Sequence, residues 1–367
     1  MSASSGALAS YRPALRPRVL LSDPLLDGPA TVHLIKDTDT GNSFKVGAKE
    51  HFLIARMDGV RSLAEIGEEY AGEYGRRLGD AHWQQILTML GTKGLLTGTP
   101  VPEAPVVAPE PRTLLRGTLP LVADADATTA RLHRALGFLL APWAMVPLLV
   151  LIVAMEAVVV ARSGELLIAV RELFANPVLL TGTAILLWTS TALHELAHGV
   201  VARRYGGRVA EIGLRWRLPV VIMYCTVDNY LYVGSRWHRI ATAVAGAVMN
   251  LLFLLPFCAL WLFAPLDDAT HEALAALLLL GSVQAFAMLV PLPPLDGYKV
   301  ASQLAGATGL AASARGYLRL VLRRSPEAAA YPRRARIAYP AYVLGTVLVL
   351  AALVAAVAAG AHHLLTA

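Results

Sequence analysis

Two histidines and a glutamate, His194-Glu195-Leu196-Ala197-His198, stand inside an otherwise apolar run over residues 177–202. No other feature restricts the fold of this chain so tightly. On a helix, residues four apart share one face. The spacing therefore sets both imidazoles side by side, where they can bind one Zn²⁺. Glu195 lies beside them and can take a proton from an attacking water. Ionisable groups inside an apolar span are expensive to bury without a task, so this stretch is a candidate metal centre rather than a pair of ordinary helix histidines.

The chain is 56% hydrophobic and 16% charged, with mean hydropathy +0.54, less charged than soluble domains are. Five apolar runs reach the roughly 20 residues that a membrane span needs: about 135–161, 177–202, 240–264, 272–292 and 339–361. The expected fold is a polytopic α-helical membrane protein with an N-terminal soluble α+β domain. The first 20 residues carry Arg12, Arg16 and Arg18 but no apolar core, so no cleavable signal peptide is expected. Cys225 and Cys258 are the only cysteines, too few for a disulfide framework or a cysteine-based zinc site.

Loop charge orients the spans. Residues 203–239 hold Arg203, Arg204, Arg208, Arg215, Arg217, Arg236 and Arg239, and residues 297–337 hold Lys299 and seven arginines. The connection at 265–271 has Asp267 and Asp268 and no Lys or Arg. The positive-inside rule then predicts a multi-pass cell-membrane protein with the N-terminal domain and both basic loops cytoplasmic and the C-terminus outside. At 1.5 Å per residue, His198 and His194 lie about 7 and 14 Å below Arg203. Asp296, at the cytoplasmic end of the fourth span, falls on the same side.

Residues 1–11 are small and polar and are expected to be disordered. Residues 12–98 form a small domain: strands at 31–35 and 43–46 around a turn-rich 37–42, then helices at about 48–57, 62–74 and 80–93. Ser62 and Glu65 make a capping box; Asp80 is placed to cap the third helix and Gly94 to end it. Residues 99–134 are a Pro-rich linker and pre-membrane segment, and 135–367 the membrane domain. A hairpin with three short helices is a winged-helix outline. It resembles the PqqD-like peptide-recognition domain of pathways for ribosomally made, modified peptides. In that family a leader peptide adds a strand to the sheet. A DNA-binding winged helix is disfavoured: residues 1–135 carry 15 basic and 15 acidic side chains, with no phosphate-binding excess, and no nucleic-acid partner is expected.

A catalytic zinc site needs a third protein ligand. Arg204 stands six residues after His198, where a metzincin has its third histidine. Asp296 follows the proline-broken Pro291-Leu292-Pro293-Pro294-Leu295 and precedes Gly297. Two readings stay open for it: a ligand carried on irregular backbone that lines a cavity, or a turn residue.

The pair of motifs, His194-Glu195-xx-His198 and a later Leu295-Asp296-Gly297, resembles the site-2 protease family of membrane-embedded zinc metallopeptidases over roughly residues 135–310. The resemblance implies His194, His198 and Asp296 as zinc ligands and Glu195 as general base. It also implies a hairpin over the site, with Gly213 to Pro219 and Tyr224 as the matching segment. The family's Ala-Gly-Pro-xx-Asn pattern appears here as Ala245-Gly246-Ala247-Val248-Met249-Asn250. The proline is absent, and by analogy Asn250 holds substrate backbone or the oxyanion. Met288 stands where the family often has asparagine.

Weaker signals have plainer readings. Glu156 is expected to snorkel or pair with Arg162, and Glu211 and Asp228 to be solvated or hairpin residues. His362 and His363 are expected at the interface, and Arg315, Arg319 and Arg323 on an interfacial amphipathic helix. The function that follows is a membrane zinc endopeptidase whose N-terminal domain binds a precursor peptide and whose site removes its leader. The alternatives are regulated cleavage of a membrane-anchored signalling protein, and a non-catalytic peptide transporter or immunity protein. Glu195 speaks against the last.

Overall fold

The computed structural model describes residues 8–100, 113–218 and 220–366. Of residues 1–11, expected to be disordered, 1–7 fall outside the described residues, but 8–10 form a helical turn and Tyr11 O accepts the Leu63 N–H at 2.9 Å; residues 101–112 of the Pro-rich linker also fall outside the described residues. Contacts divide the chain into two units, one of residues 1–109 with 306–336, the other of residues 110–305 with 337–367.

In the first unit, β1 (Val19–Leu21), β2 (Leu25–Asp27), β3 (Ala30–Asp37) and β4 (Ser43–Gly47) form an antiparallel sheet. β1 and β2 pair with the two ends of β3, and β4 pairs with it from Lys36↔Ser43 to Val32↔Gly47. The β3–β4 turn is tied by a fully buried Asp37, whose carboxylate accepts from Arg16 at 2.6 Å, Thr40 at 2.9 Å and the Asp39 N–H at 3.0 Å. Helices α1 (Ala48–Ile54), α2 (Leu63–Tyr74) and α3 (Asp80–Thr92) follow.

The Ser62–Glu65 capping box is present, with both reciprocal bonds made. Asp80 does not cap α3; it is the first helical residue and Gly79 is the N-cap. The core joins Ile35 and Val46 of the sheet to Leu53, Ile54, Ile66, Tyr70, Trp83 and Leu90 of the helices.

Residues 306–336 belong to this unit by contact, although the sequence division places them in the membrane domain. The reason is a backbone pairing. The Leu26 N–H donates to Gly306 O at 2.7 Å, and the Thr308 N–H donates to Leu26 O at 2.9 Å.

The second unit begins with β5 (Arg116–Pro120) and α4 (Ala125–Leu136), in a stretch whose sequence shows no clear periodicity. Then come α5 (Pro142–Ala161), α6 (Ser163–Ala175), α7 (Pro177–Arg204), the hairpin β6 (Arg208–Arg217) and β7 (Val220–Asp228), α8 (Arg236–Phe263), α9 (Asp268–Met288) and α10 (Asp296–Ala305). After α11 (Leu310–Leu322) of the first unit, α12 (Arg333–Thr366) ends the chain. Among the described residues, five helices, α5, α7, α8, α9 and α12, are long and apolar enough to cross a membrane.

α6 is too short to span and is packed on α9. β5, β6 and β7 form one antiparallel sheet. The buried small residues Ala243, Ala245, Gly246 and Ala247 of α8 let α7 approach closely, the packing expected between spans where no hydrophobic drive distinguishes helix from lipid.

Glu156 departs from the expected pairing. It accepts a hydrogen bond from Ser282 at 2.8 Å, while Arg162 pairs with Glu165 at 3.5 Å. Residues six apart do not share a helix face, and α5 ends between Glu156 and Arg162.

His33 and His51 stack with ring centroids 3.6 Å apart and planes at 8°. Burial first, then His33 and Arg56, push the His51 pKa down to about 4. Between pH 4 and the unperturbed value near 6.5 the unfolded chain binds more protons than the folded one, so stability rises with pH across that window and is lost as pH falls through it. Hydrogen-exchange protection of residues 48–54, corrected for intrinsic rates, is therefore expected to climb from pH 4 to 6.5 and level off above. His51→Gln is expected to remove the climb.

Candidate metal centre

α7 carries His194 and His198 one turn apart, both buried at 3% and 4% exposure. α10 opens with Asp296, 5% exposed. Asp296 Oδ2 lies 2.9 Å from His194 Nε2 and 3.1 Å from His198 Nε2, and the two Nε2 atoms are 3.2 Å apart. Four ligands set tetrahedrally at about 2.0 Å from zinc stand about 3.3 Å from one another, so the triangle is nearly the size that a single zinc ion requires. The chemistry of the donors agrees. His198 Nδ1 faces Thr242 O at 2.7 Å, and against a carbonyl that nitrogen donates. With Nδ1 donating, the ring holds Nε2 toward the triangle beside the Asp296 oxygen, the placement in which an imidazole Nε2 serves as a metal ligand. The residues present therefore fit a zinc ion.

Asp296 is held from both sides. Lys299, one turn along α10, donates to Oδ1 at 2.8 Å.

Two glycines make the assembly possible. A Cβ at Gly246 would overlap the His194 ring, and one at Gly297 would overlap the Leu289 carbonyl. The short link from α9 into α10 therefore closes only with glycine after Asp296.

Glu195 is part-exposed, and its carboxylate lies within 4.8 Å of the two histidine nitrogens. Its Oε2 accepts the backbone N–H of Cys225 at 2.9 Å, so β7 fixes the orientation of the acid. Asn250 is 1% exposed. Its Oδ1 accepts from Ser190 Oγ at 3.1 Å, which places it one turn along α7 and α8 from the His194–Gly246 contact rather than on the triangle itself. Its Nδ2 is buried and has no hydrogen-bond partner among the described residues.

Of the residues expected at the site, the structure thus brings His194, His198, Asp296 and Glu195 together and sets Asn250 beside them. Sequence reasoning missed Thr242, Lys299 and Cys225. Thr242 and Cys225 act through backbone atoms, which leave no sequence signal. Lys299 was legible as the i+3 neighbour of Asp296 once a helix starts there.

Glu211 accepts from the Tyr224 hydroxyl at 2.6 Å within the hairpin and Asp228 accepts from Asn229, so neither reaches the triangle through these bonds.

Residues 182–275 match the model of peptidase family M50, the site-2 protease family, whose proteases are zinc-dependent. The matched stretch holds the His-Glu-His motif, the hairpin and the helix with Asn250, and stops short of Asp296. No curated protein and no solved structure matches the chain.

Burial, then the Glu195 charge, push the Cys225 thiol up to about 12. Against a free cysteine near 8.5, that leaves about three orders of magnitude less thiolate at neutral pH. In a Cys258→Ala background, Cys225 is expected to resist iodoacetamide at pH 8 in the folded protein and to react once unfolded, as followed by intact mass.

Proposed function

We propose that the chain is a membrane zinc endopeptidase that removes the leader from a ribosomally made, modified peptide at the cytoplasmic side of the membrane. The observation that carries the enzymatic half is the convergence of His194 Nε2, His198 Nε2 and Asp296 Oδ2 beside the Glu195 carboxylate. Zinc, when bound, supplies a Lewis acid that acidifies water and polarises a carbonyl.

The protein's own groups do the rest. Thr242 O sets the His198 tautomer, and Lys299 leaves one Asp296 oxygen for the metal. Glu195 takes the proton of the attacking water and delivers it to the leaving nitrogen as the C–N bond breaks. Asn250 Nδ2, a buried donor with no partner among the described residues, offers a hydrogen bond to substrate backbone or to the oxyanion.

The substrate half rests on the first unit. β4 pairs with β3 alone among the described strands, so its outer edge is open to an added strand. Beside it a cavity of about 280 Å³ runs between β4 and α3, lined by Phe44, Val46, Met89, Lys93 and Leu95 among others. An open strand edge next to an apolar slot suits an extended peptide with apolar side chains. The cytoplasmic placement of this unit follows from loop charge.

Two outcomes test this reading. Glu195→Gln is expected to keep about one zinc per chain while losing at least 100-fold in cleavage rate, and His194→Ala to lose the zinc. Met89→Arg, which fills the slot beside β4, is expected to raise KM for a leader-bearing precursor by about tenfold with zinc content unchanged, a loss of about 1.4 kcal/mol in binding. A wild type that cuts a protein with its own membrane span and ignores short precursors would point to the signalling-protease alternative.

A further inference from the structure

Among the described residues, Arg239 is a buried charge that the metal-site reading does not use. Arg239, in the first turns of α8, is 4% exposed. Its Nε donates to Gln303 Oε1 at 2.7 Å, and its Nη1 donates to Leu231 O and Gly234 O at 3.2 Å each. Its own carbonyl accepts the Tyr230 hydroxyl at 2.7 Å. A guanidinium only donates, so the Gln303 amide must turn its oxygen toward α8, and Gln303 is itself 4% exposed.

Gln303 follows Asp296 by seven residues, two turns along α10, and so lies on the same helix face. One face of this short helix thus presents Asp296 to the histidines at its start and Gln303 to Arg239 near its end. α8 is the common reference. One turn beyond Arg239, Thr242 O holds His198 Nδ1. α8 therefore fixes a histidine through its backbone and the aspartate-bearing helix through a buried side chain.

We propose that Arg239 is a positioning residue that holds Asp296 in register with His194 and His198 through Gln303. The inference rests on the metal-site reading above. A purely local role, closing the 230–234 loop onto α8, would need only the bonds to Leu231 and Gly234, and Gln303 would be dispensable. The bond to α10 is what a positioning role requires. Outer partners of metal ligands are worth about 10- to 100-fold in metal affinity.

The deciding variant is Gln303→Leu, because it removes the link to α10 and leaves the loop bonds of Arg239 in place. Zinc affinity is measured by chelator competition on the full-length protein in detergent, together with the visible spectrum of the Co²⁺-substituted form. Gln303→Leu is expected to weaken zinc at least tenfold and to shift the cobalt bands. Arg239→Met is expected to weaken it at least as much, and the double variant no more than Arg239→Met alone. Arg239→Lys, which keeps a charge and donors, is expected to recover part of the loss.

Wild-type zinc affinity and an unchanged cobalt spectrum in Gln303→Leu would overturn the proposal while leaving the metal site standing. A wild type that binds no zinc would remove the metal-site reading and this inference with it.

Discussion

Two imidazole nitrogens and a carboxylate oxygen converge within 2.9 to 3.2 Å of one another on three buried side chains. A single cation placed among them accepts all three lone pairs at once, and the His194–Glu195–His198 group is of a kind that can hold one. The surrounding helices are arranged to make the convergence possible. α7 contributes the histidines at i and i+4. α8 presents small residues, with Gly246 flat against the His194 ring. The short link after α9 brings Asp296 to the first turn of α10, where the peptide dipoles favour its negative charge.

The same constraint explains which polar groups lie inside the membrane unit and how they are held. Ser190 with Asn250, Thr191 with Gln284 and Ser282 with Glu156 each bond across helices. Such bonds satisfy groups that lipid cannot. The β6–β7 hairpin then brings backbone to the site: the Cys225 N–H meets Glu195 and leaves the acid part-exposed. Glu195 is thereby held in place yet part-exposed, whereas His194, His198 and Asp296 are buried.

Much of this was legible in the sequence, and the limits follow physical lines. The spacing of His194 and His198 predicts a shared helix face because helical periodicity alone determines it. Asp296 was legible as a candidate because a proline-broken stretch at the end of a span needs a reason, although Pro-Pro-Leu-Asp-Gly is also good turn chemistry. The partners that act through backbone, Thr242 O and the Cys225 N–H, had no side-chain signature to find. Glu156 was expected to snorkel or to pair with Arg162, but helix phase sends it to Ser282 instead. β1 and β2 are three residues each, too short for a period-two pattern to emerge, and the pairing of Leu26 with residues 306–308 joins segments far apart in the chain.

The most direct test of the account is zinc K-edge X-ray absorption on the purified full-length protein. The account predicts one zinc per chain with two imidazoles and oxygen in its first coordination sphere, at about 2.0–2.1 Å, and no sulfur. A sulfur shell near 2.3 Å, which would bring in Cys225 or Cys258, or the absence of bound zinc, would contradict it.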